Sequence, residues 1–449
     1  MSSQIMKRIF CVCALLLATG CSSYGVIKNK PLSNVPAAQK YSIKAFGKDD
    51  GTGRSADIGM MLSFSGGGTR AAALAYGVML ELRETMVVVN GNTRRLLDEV
   101  DSISSVSGGS FTSAYYGLHG DGMFDTFEDV FLRKNVEKKL INQVLNPFHW
   151  FGRKGRTERT IEYYQKQIFH GATFADLKKP GRPMIVINAS DLAYGVRFSF
   201  IQEYFDLLCS DLSAFPVADA VTASSAVPVV FNPVVVENLS GCGDEPFERI
   251  RQVRQRAPRQ DDELDMLVAG LESYANKDQR KYIHFVDGGI TDNIGLRAVY
   301  DVITIAGGAN SFMTGAAKKV PEKLIFIAID ASTSPDFDMD STNKQPSLAK
   351  SMSAVTGIQL HRYNVDTLSL VHGALNEWSA ELSTPEKTVS PYFIELSFNE
   401  IGPPELRAYF NKIPTSFSLT DEHVDKLIGA GRELLRDHPV YQQLLADLK

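Results

Sequence analysis

The chain is poor in cysteine, in histidine and in unbroken apolar sequence, and each shortage removes a class of function. Five cysteines and eight histidines are spread over 449 residues. No Cys/His group among them has zinc-like spacing, so no metal is implied. No apolar run approaches the ~18 residues of a membrane-spanning helix. Basic residues are not in excess: the formal net charge is −5, which argues against nucleic acid as a general partner. Internal repeats and low-complexity blocks are missing. A glycine-rich turn is present at Gly66-Gly67-Gly68. No Gly-Lys-Ser/Thr follows it and its spacing is not Gly-x-Gly-x-x-Gly, so a nucleotide site is disfavoured and no cofactor is implied.

What is there is a pairing of two turns. Ile58 to Phe64 is an apolar run of strand length, and Ala71 to Glu84 is a strong helix former with one apolar face. Between them lies Ser65-Gly66-Gly67-Gly68-Thr69-Arg70. A glycine loop opening a helix presents bare N–H groups that can hold a developing oxyanion. Farther on, Ser105-Val106-Ser107-Gly108-Gly109 has the form of a small-x-Ser-x-Gly turn, which projects a serine hydroxyl between a strand and a helix. Taken alone, such a turn can equally be a helix cap. A third element is Tyr282 to Val286, a buried strand, ending in Asp287-Gly288-Gly289. A carboxylate there can act as a general base, although Asp-Gly is also a common turn.

Gly66-Gly67-Gly68-Thr69-Arg70, then Ser105-Val106-Ser107-Gly108-Gly109, then Asp287-Gly288-Gly289, in that order, resembles the patatin-like phospholipase family. Asn188 to Leu192 and Ala223 to Pro228 are similar to its bacterial members. The resemblance covers about residues 57–300. It implies an α/β fold, a three-layer α/β/α sandwich around a mostly parallel sheet, and hydrolysis of lipid acyl esters by a Ser–Asp dyad. On it Ser107 is the nucleophile and Asp287 the base. Gly66, Gly67, Gly68, Thr69 and Arg70 form the oxyanion loop, with Arg70 fixing it near the helix start. Ser105 and Ala71 stand where the family often has glycine.

The histidines are the test of a Ser–His–Asp alternative. His119 lies roughly 18 Å from Ser107 if the helix between them is continuous. His284 precedes Asp287 by three residues on a strand and so points to the opposite face. His361 and His372 follow Asp287 in hydrolase order and share one face of a helix expected over Ser347 to Leu382. Asp330, ending the strand Leu324 to Ile329, is a second candidate carboxylate.

Residues 1–20 have the form of a bacterial lipoprotein signal: Lys7-Arg8, an apolar core from Ile9 to Leu17, then Ala18-Thr19-Gly20 before Cys21. Cys21 is the expected lipidation site, and an ordinary secretory signal is the alternative. Removal of Lys7 and Arg8 makes the mature chain −7. Residues 21–53 read as a polar tether, and 54–449 as one catalytic domain with core motifs in 57–300 and a peripheral part in 301–449. The expected location is the cell envelope, at the outer membrane facing the periplasm. Cys209 and Cys242 then remain in an oxidising space, as a disulfide worth roughly 3–4 kcal/mol or as two separate thiols.

Two basic stretches interrupt the acidic average. Arg249, Arg251, Arg254, Arg256 and Arg259 read as a solvated insertion or a lipid contact, and Phe148 to Arg156 as a packed loop or an interfacial one. Gly307 to Ala317 and Thr333 to Ser347 read as mobile loops, Pro391 to Phe398 as a strand and Asp421 to Leu435 as an amphipathic helix. The expected function is a lipid-anchored serine acyl hydrolase whose partners are the membrane and a phospholipid or lysophospholipid substrate. A periplasmic esterase or thioesterase on soluble substrates and a catalytically silent envelope lipoprotein are the alternatives.

Overall fold

The computed structural model describes residues 25–32, 36, 39–47, 53–136, 155–228, 230–256, 262–334 and 343–448. The signal, Cys21, residues 148–154 and Arg259 lie outside the described residues.

Among the described residues the frame is a nine-stranded sheet. Its strands are β1 (Val26–Ile27), β2 (Ile58–Phe64), β5 (Val100–Val106), β6 (Met184–Asp191), β7 (Arg197–Ser199), β8 (Val234–Glu237), β9 (Tyr282–Asp287), β10 (Lys323–Asp330) and β11 (Ser390–Ser397), with β3 (Met86–Val89) and β4 (Asn92–Arg95) forming a separate hairpin. The spatial order is β1-β8-β9-β6-β5-β2-β10-β11, and β7 pairs with β6. From β11 to β6 all neighbours are parallel, whereas β9 runs antiparallel to β6 and β8.

Strand residues alternate between two apolar layers, as a period of two requires. In β10, Ile325, Ile327 and Ile329 enter the larger core, while Phe326 and Ala328 enter a second core with Val371, Leu375 and Trp378. The second layer comes from α5 (Leu348–Leu382), whose buried Val371, Ala374, Leu375 and Trp378 recur at helical spacing. On the other face lie α1 (Gly68–Glu84) and α2 (Gly108–His119). Helices therefore cover both faces of the sheet, giving the expected α/β/α sandwich.

Several expectations are corrected. The described residues between 25 and 47 are not a free tether: β1 extends the sheet beside β8, and Tyr41 is fully buried with its hydroxyl donating to the Ile185 carbonyl at 2.9 Å. A buried aromatic outweighs the polar average of that segment. Gly307 to Ala317 is not a loop. Gly307 ends one helix in the left-handed region (φ 91°), and Ala309–Gly315 forms another, its first amides capped by Glu381 at 3.0 Å. The arginine-rich stretch is helix α4 (Glu245–Arg256), with Phe247, Ile250 and Val253 buried on one face. Arg249, Arg251 and Arg254 pair with Glu245, Asp244 and Asp265.

The C-terminal third is not peripheral. Strand β11 completes the sheet, and α6 (Asp421–Asp437) crosses α1 at glycines. A Cβ on Gly77 would approach the Ile428 carbonyl oxygen to 2.2 Å, and one on Gly431 would approach that of Leu74 to 2.3 Å. The two backbones meet where neither helix has a side chain.

Candidate active site

The parallel part of the sheet brings the motifs together. Strand β2 sits between β5 and β10, so the connections leaving β2 and β10 diverge, and their carboxyl ends open a crevice of the kind α/β proteins use for ligands. The glycine loop follows β2 and Ser107 follows β5. Register does the rest. Val106 pairs with Asn188, and Asp287 pairs with Ala189. Serine and aspartate, separated by 180 positions, thus flank the same end of β6.

Ser107 occupies φ 50°, ψ −119°, a conformation that an L-residue adopts only when its surroundings impose it. Its hydroxyl does not cap α2; it donates to Asp287 Oδ2 at 2.9 Å. The backbone N–H of Ser107 donates to Ser224 Oγ at 2.8 Å, and the Ser224 hydroxyl donates in turn to the Asn188 carbonyl at 2.6 Å. Ser224, on α3 (Val217–Ser224), therefore ties the elbow to β6. Ser105, in the place of a glycine, fits because Ser113 Oγ lies at 2.6 Å and the Val186 carbonyl at 3.2 Å.

Asp287 is 8 % exposed. Its second oxygen accepts the Gly289 N–H at 2.8 Å. Burial pushes the carboxyl up to about 6, against the opposing pull of the Gly289 amide and the Ser107 hydroxyl. Among the described residues no histidine bonds to either partner. His119 stacks on Tyr115 at the far end of α2, with ring centroids 4.2 Å apart. His284 pairs through its backbone with Val235, His361 is half-buried on α5, and His372 stacks on Phe393. Asp330 accepts from Ser332 N and Asn364 Nδ2 rather than from a nucleophile.

In the glycine loop, Gly67 (φ 138°) and Gly68 (φ 60°) hold backbone shapes that disfavour any side chain. The Gly66 amide donates to the Asn293 carbonyl and the Thr69 amide to that of Ser416, each at 2.9 Å. Those two N–H groups are spent, which narrows the five-residue expectation. The Gly67 and Gly68 amides have no acceptor among the described residues, nor does that of Gly108, the residue after Ser107. These amides lie at the start of α1 and α2, where helix N–H groups converge. A Cβ on Gly108 would come within 2.0 Å of the Gly68 carbonyl oxygen, so the two turns touch. Arg70 points away into the protein, donating to the carbonyls of Ala331 (2.9 Å) and Ile413 (2.5 Å) and to Thr415 Oγ1 (3.0 Å). Burial lowers its pKa to about 10, partly offset by Asp330, so it stays charged at neutral pH. The Thr69 hydroxyl is buried and has no partner among the described residues.

Sequence reasoning missed Ser224, Gly108 and Asn293 as parts of the site. Ser224 stands in a stretch that carried the family resemblance, and Gly108 inside the elbow itself. Asn293 acts through its backbone carbonyl, which leaves no trace in residue type. Cys209 and Cys242 form a disulfide with Cα atoms 5.2 Å apart. No group of three or more His, Cys, Asp or Glu is placed to hold a metal among the described residues, and none of their helices is long and apolar enough to cross a membrane.

Fold and site define an α/β/α protein built around a serine elbow hydrogen-bonded to a buried carboxylate. The patatin-like phospholipase family model matches residues 62–300, more than half of the chain and all three motifs. The chain belongs to the patatin-like phospholipase family. Membership supports lipid acyl hydrolase activity. No curated protein matches it in sequence. Among solved structures it is similar to human GIVD cytosolic phospholipase A2, at 11% identity and TM-score 0.41. The same human protein with methyl gamma-linolenyl fluorophosphonate gives 12% and 0.38. Each comparison covers 92% of this chain and 63% of the human one, so the chain spans less than two thirds of that protein. The complex of full-length SpcU with full-length ExoU from the type III secretion system of Pseudomonas aeruginosa matches at 12% identity and TM-score 0.21, over 88% of this chain and 91% of that one.

Proposed function

We propose that the protein is a serine acyl hydrolase that cleaves acyl esters of phospholipids or lysophospholipids, held at the envelope by lipid on Cys21. The observation that carries the chemistry is the 2.9 Å hydrogen bond from the strained Ser107 to Asp287. Ser107 Oγ attacks the ester carbonyl and passes its proton to Asp287 Oδ2. Negative charge develops on the carbonyl oxygen, where the free amides of Gly67, Gly68 and Gly108 are available to stabilise it. Collapse expels the alcohol, which takes the proton back from Asp287. Water, deprotonated by the same carboxylate, then attacks the acyl carbonyl, and as the bond to Ser107 Oγ breaks Asp287 returns the proton to that oxygen, releasing the fatty acid and restoring the pair. The signal-like N-terminus supports export and acylation of Cys21, and the Cys209–Cys242 bridge fits an oxidising compartment.

The test is acyl-chain release from phospholipid vesicles, run beside hydrolysis of a soluble short-chain ester, for the unmodified chain and Ser107→Ala. Vesicle hydrolysis that disappears in Ser107→Ala is expected. Turnover of the short ester alone selects a soluble-substrate esterase, and labelling of Ser107→Ala by a fluorophosphonate at full yield overturns the nucleophile.

A further inference from the structure

One cavity with a mostly apolar wall does not belong to the serine. It has a volume of about 310 Å³ and opens at the amino-terminal edge of the sheet, beside Gly59 of β2, Asp101 of β5 and Leu324 of β10. The seven residues of β2 put it about 20 Å from the glycine loop. Met61, Met313, Phe326 and Trp378, all of the second core or packed on it, supply apolar wall. Methionines and aromatics accommodate a flexible chain without fixing its shape. The polar groups are few and gathered together: Arg54, Lys318 and Asp101 line the same cavity, with Lys318 Nζ 2.8 Å and Arg54 Nη1 4.0 Å from Asp101 Oδ1. Asp101 is already committed, since its other oxygen accepts the Met60 amide at 3.0 Å. Lys319 lines the cavity as well, so two lysines stand against one carboxylate in this part of the lining. An apolar pocket of ligand size with a small cluster of charge is the usual form of a small-molecule site.

We propose that this cavity binds a long-chain fatty acid, its hydrocarbon against Met61, Met313 and Trp378 and its carboxylate at Lys318 and Lys319. The charge selects the occupant: a neutral chain of the same length satisfies the wall but not the cations. The site is separate from Ser107, so binding here stands or falls independently of the proposed hydrolysis.

Trp378 reports on the site directly. The chain has two tryptophans, Trp150 and Trp378, and in a Trp150→Phe, Ser107→Ala background only Trp378 fluoresces and no ester turns over. A brominated fatty acid should quench it saturably. Unbrominated acids of increasing length should displace the quencher, each methylene tightening binding about fourfold, until the chain outgrows the cavity. Lys318→Met should weaken the acid about tenfold, the worth of a hydrogen bond to a charged group, and leave the fatty alcohol unchanged. The acid-against-alcohol comparison on the background chain makes the same distinction without altering Lys318. Absence of saturable quenching, or equal affinity for acid and alcohol, overturns the proposal.

Discussion

The Asp287 carboxylate has two hydrogen-bond donors, the Ser107 hydroxyl and the Gly289 amide, and burial raises its pKa from 3.8 to about 6. As the proposed base, Asp287 must be ionised to accept the serine proton, so kcat/KM should rise with pH and level off above about 6. A flat profile from pH 5 to 8 would contradict the assignment. The same shift sets a stability cost. Because the folded pKa is raised, the folded chain binds more protons than the unfolded one between 3.8 and about 6, and stability falls as pH rises through that window. The loss is roughly 3 kcal/mol or less and is fully present above the folded pKa. Asp287→Asn removes it together with the base. Hydrolysis should drop about a hundredfold or more, while Tm at pH 7.5 should exceed that of the unmodified chain, a gain that shrinks at pH 4.5. Thermal unfolding at the two pH values tests this, and a lower Tm at pH 7.5 would speak against it.

Among the elements, the one that holds the glycine loop, the proposed oxyanion site, comes from the far end of the chain. The segment between residues 413 and 416 accepts two hydrogen bonds from Arg70 and Thr69 through its carbonyls, and Thr415 accepts a third. Arg70→Met keeps an apolar stem but releases the clamp. It should lower kcat about tenfold or more with little change in KM, because the oxyanion donors matter most in the transition state. A raised KM at constant kcat would place Arg70 in ground-state binding instead. Behind this clamp α6 packs on α1 through Gly77 and Gly431. Gly77→Val should cost about 1–3 kcal/mol as an overpacked contact, measured by chemical denaturation. Ion pairs of Glu81 with Arg432 and Arg436 flank the crossing. They are partly exposed and should contribute little by comparison.

At the scale of the whole molecule, the disulfide between Cys209 and Cys242 closes 33 positions of chain. Its removal by Cys209→Ala with Cys242→Ala should cost roughly 3–4 kcal/mol, chiefly through a less constrained unfolded state. Equal Tm with and without reductant would show that the bridge does not form. The proposed lipid anchor predicts that Cys21→Ser moves the protein from the membrane fraction to the soluble periplasm or leaves it uncleaved. Acyl chains supply about 0.8 kcal/mol per buried CH₂, more than surface aromatics and arginines can replace. Firm membrane attachment of a cleaved Cys21→Ser chain would refute the anchor.

Local pattern was enough for several elements of the fold. Ile58–Phe64, Tyr282–Asp287 and Leu348–Leu382 are where periodicity places them, because apolar spacing and propensity act over a few residues. Ser107, Asp287 and the glycines were legible for a related reason: a strained turn and a close backbone approach restrict residue type at the position itself. What the sequence could not express was burial by distant partners. Tyr41 draws a polar N-terminal segment onto the sheet, and Glu381 makes a helix of a glycine-rich stretch. Asn293 and Ser416 use carbonyls that every residue has, and so decide without any sequence signature which loop amides remain free for an oxyanion. Only the register of β5, β6 and β9, a set of long-range backbone pairings, brings Ser107 Oγ to 2.9 Å from Asp287. Residue type determined which groups can react, and the tertiary hydrogen bonds decided which of them meet.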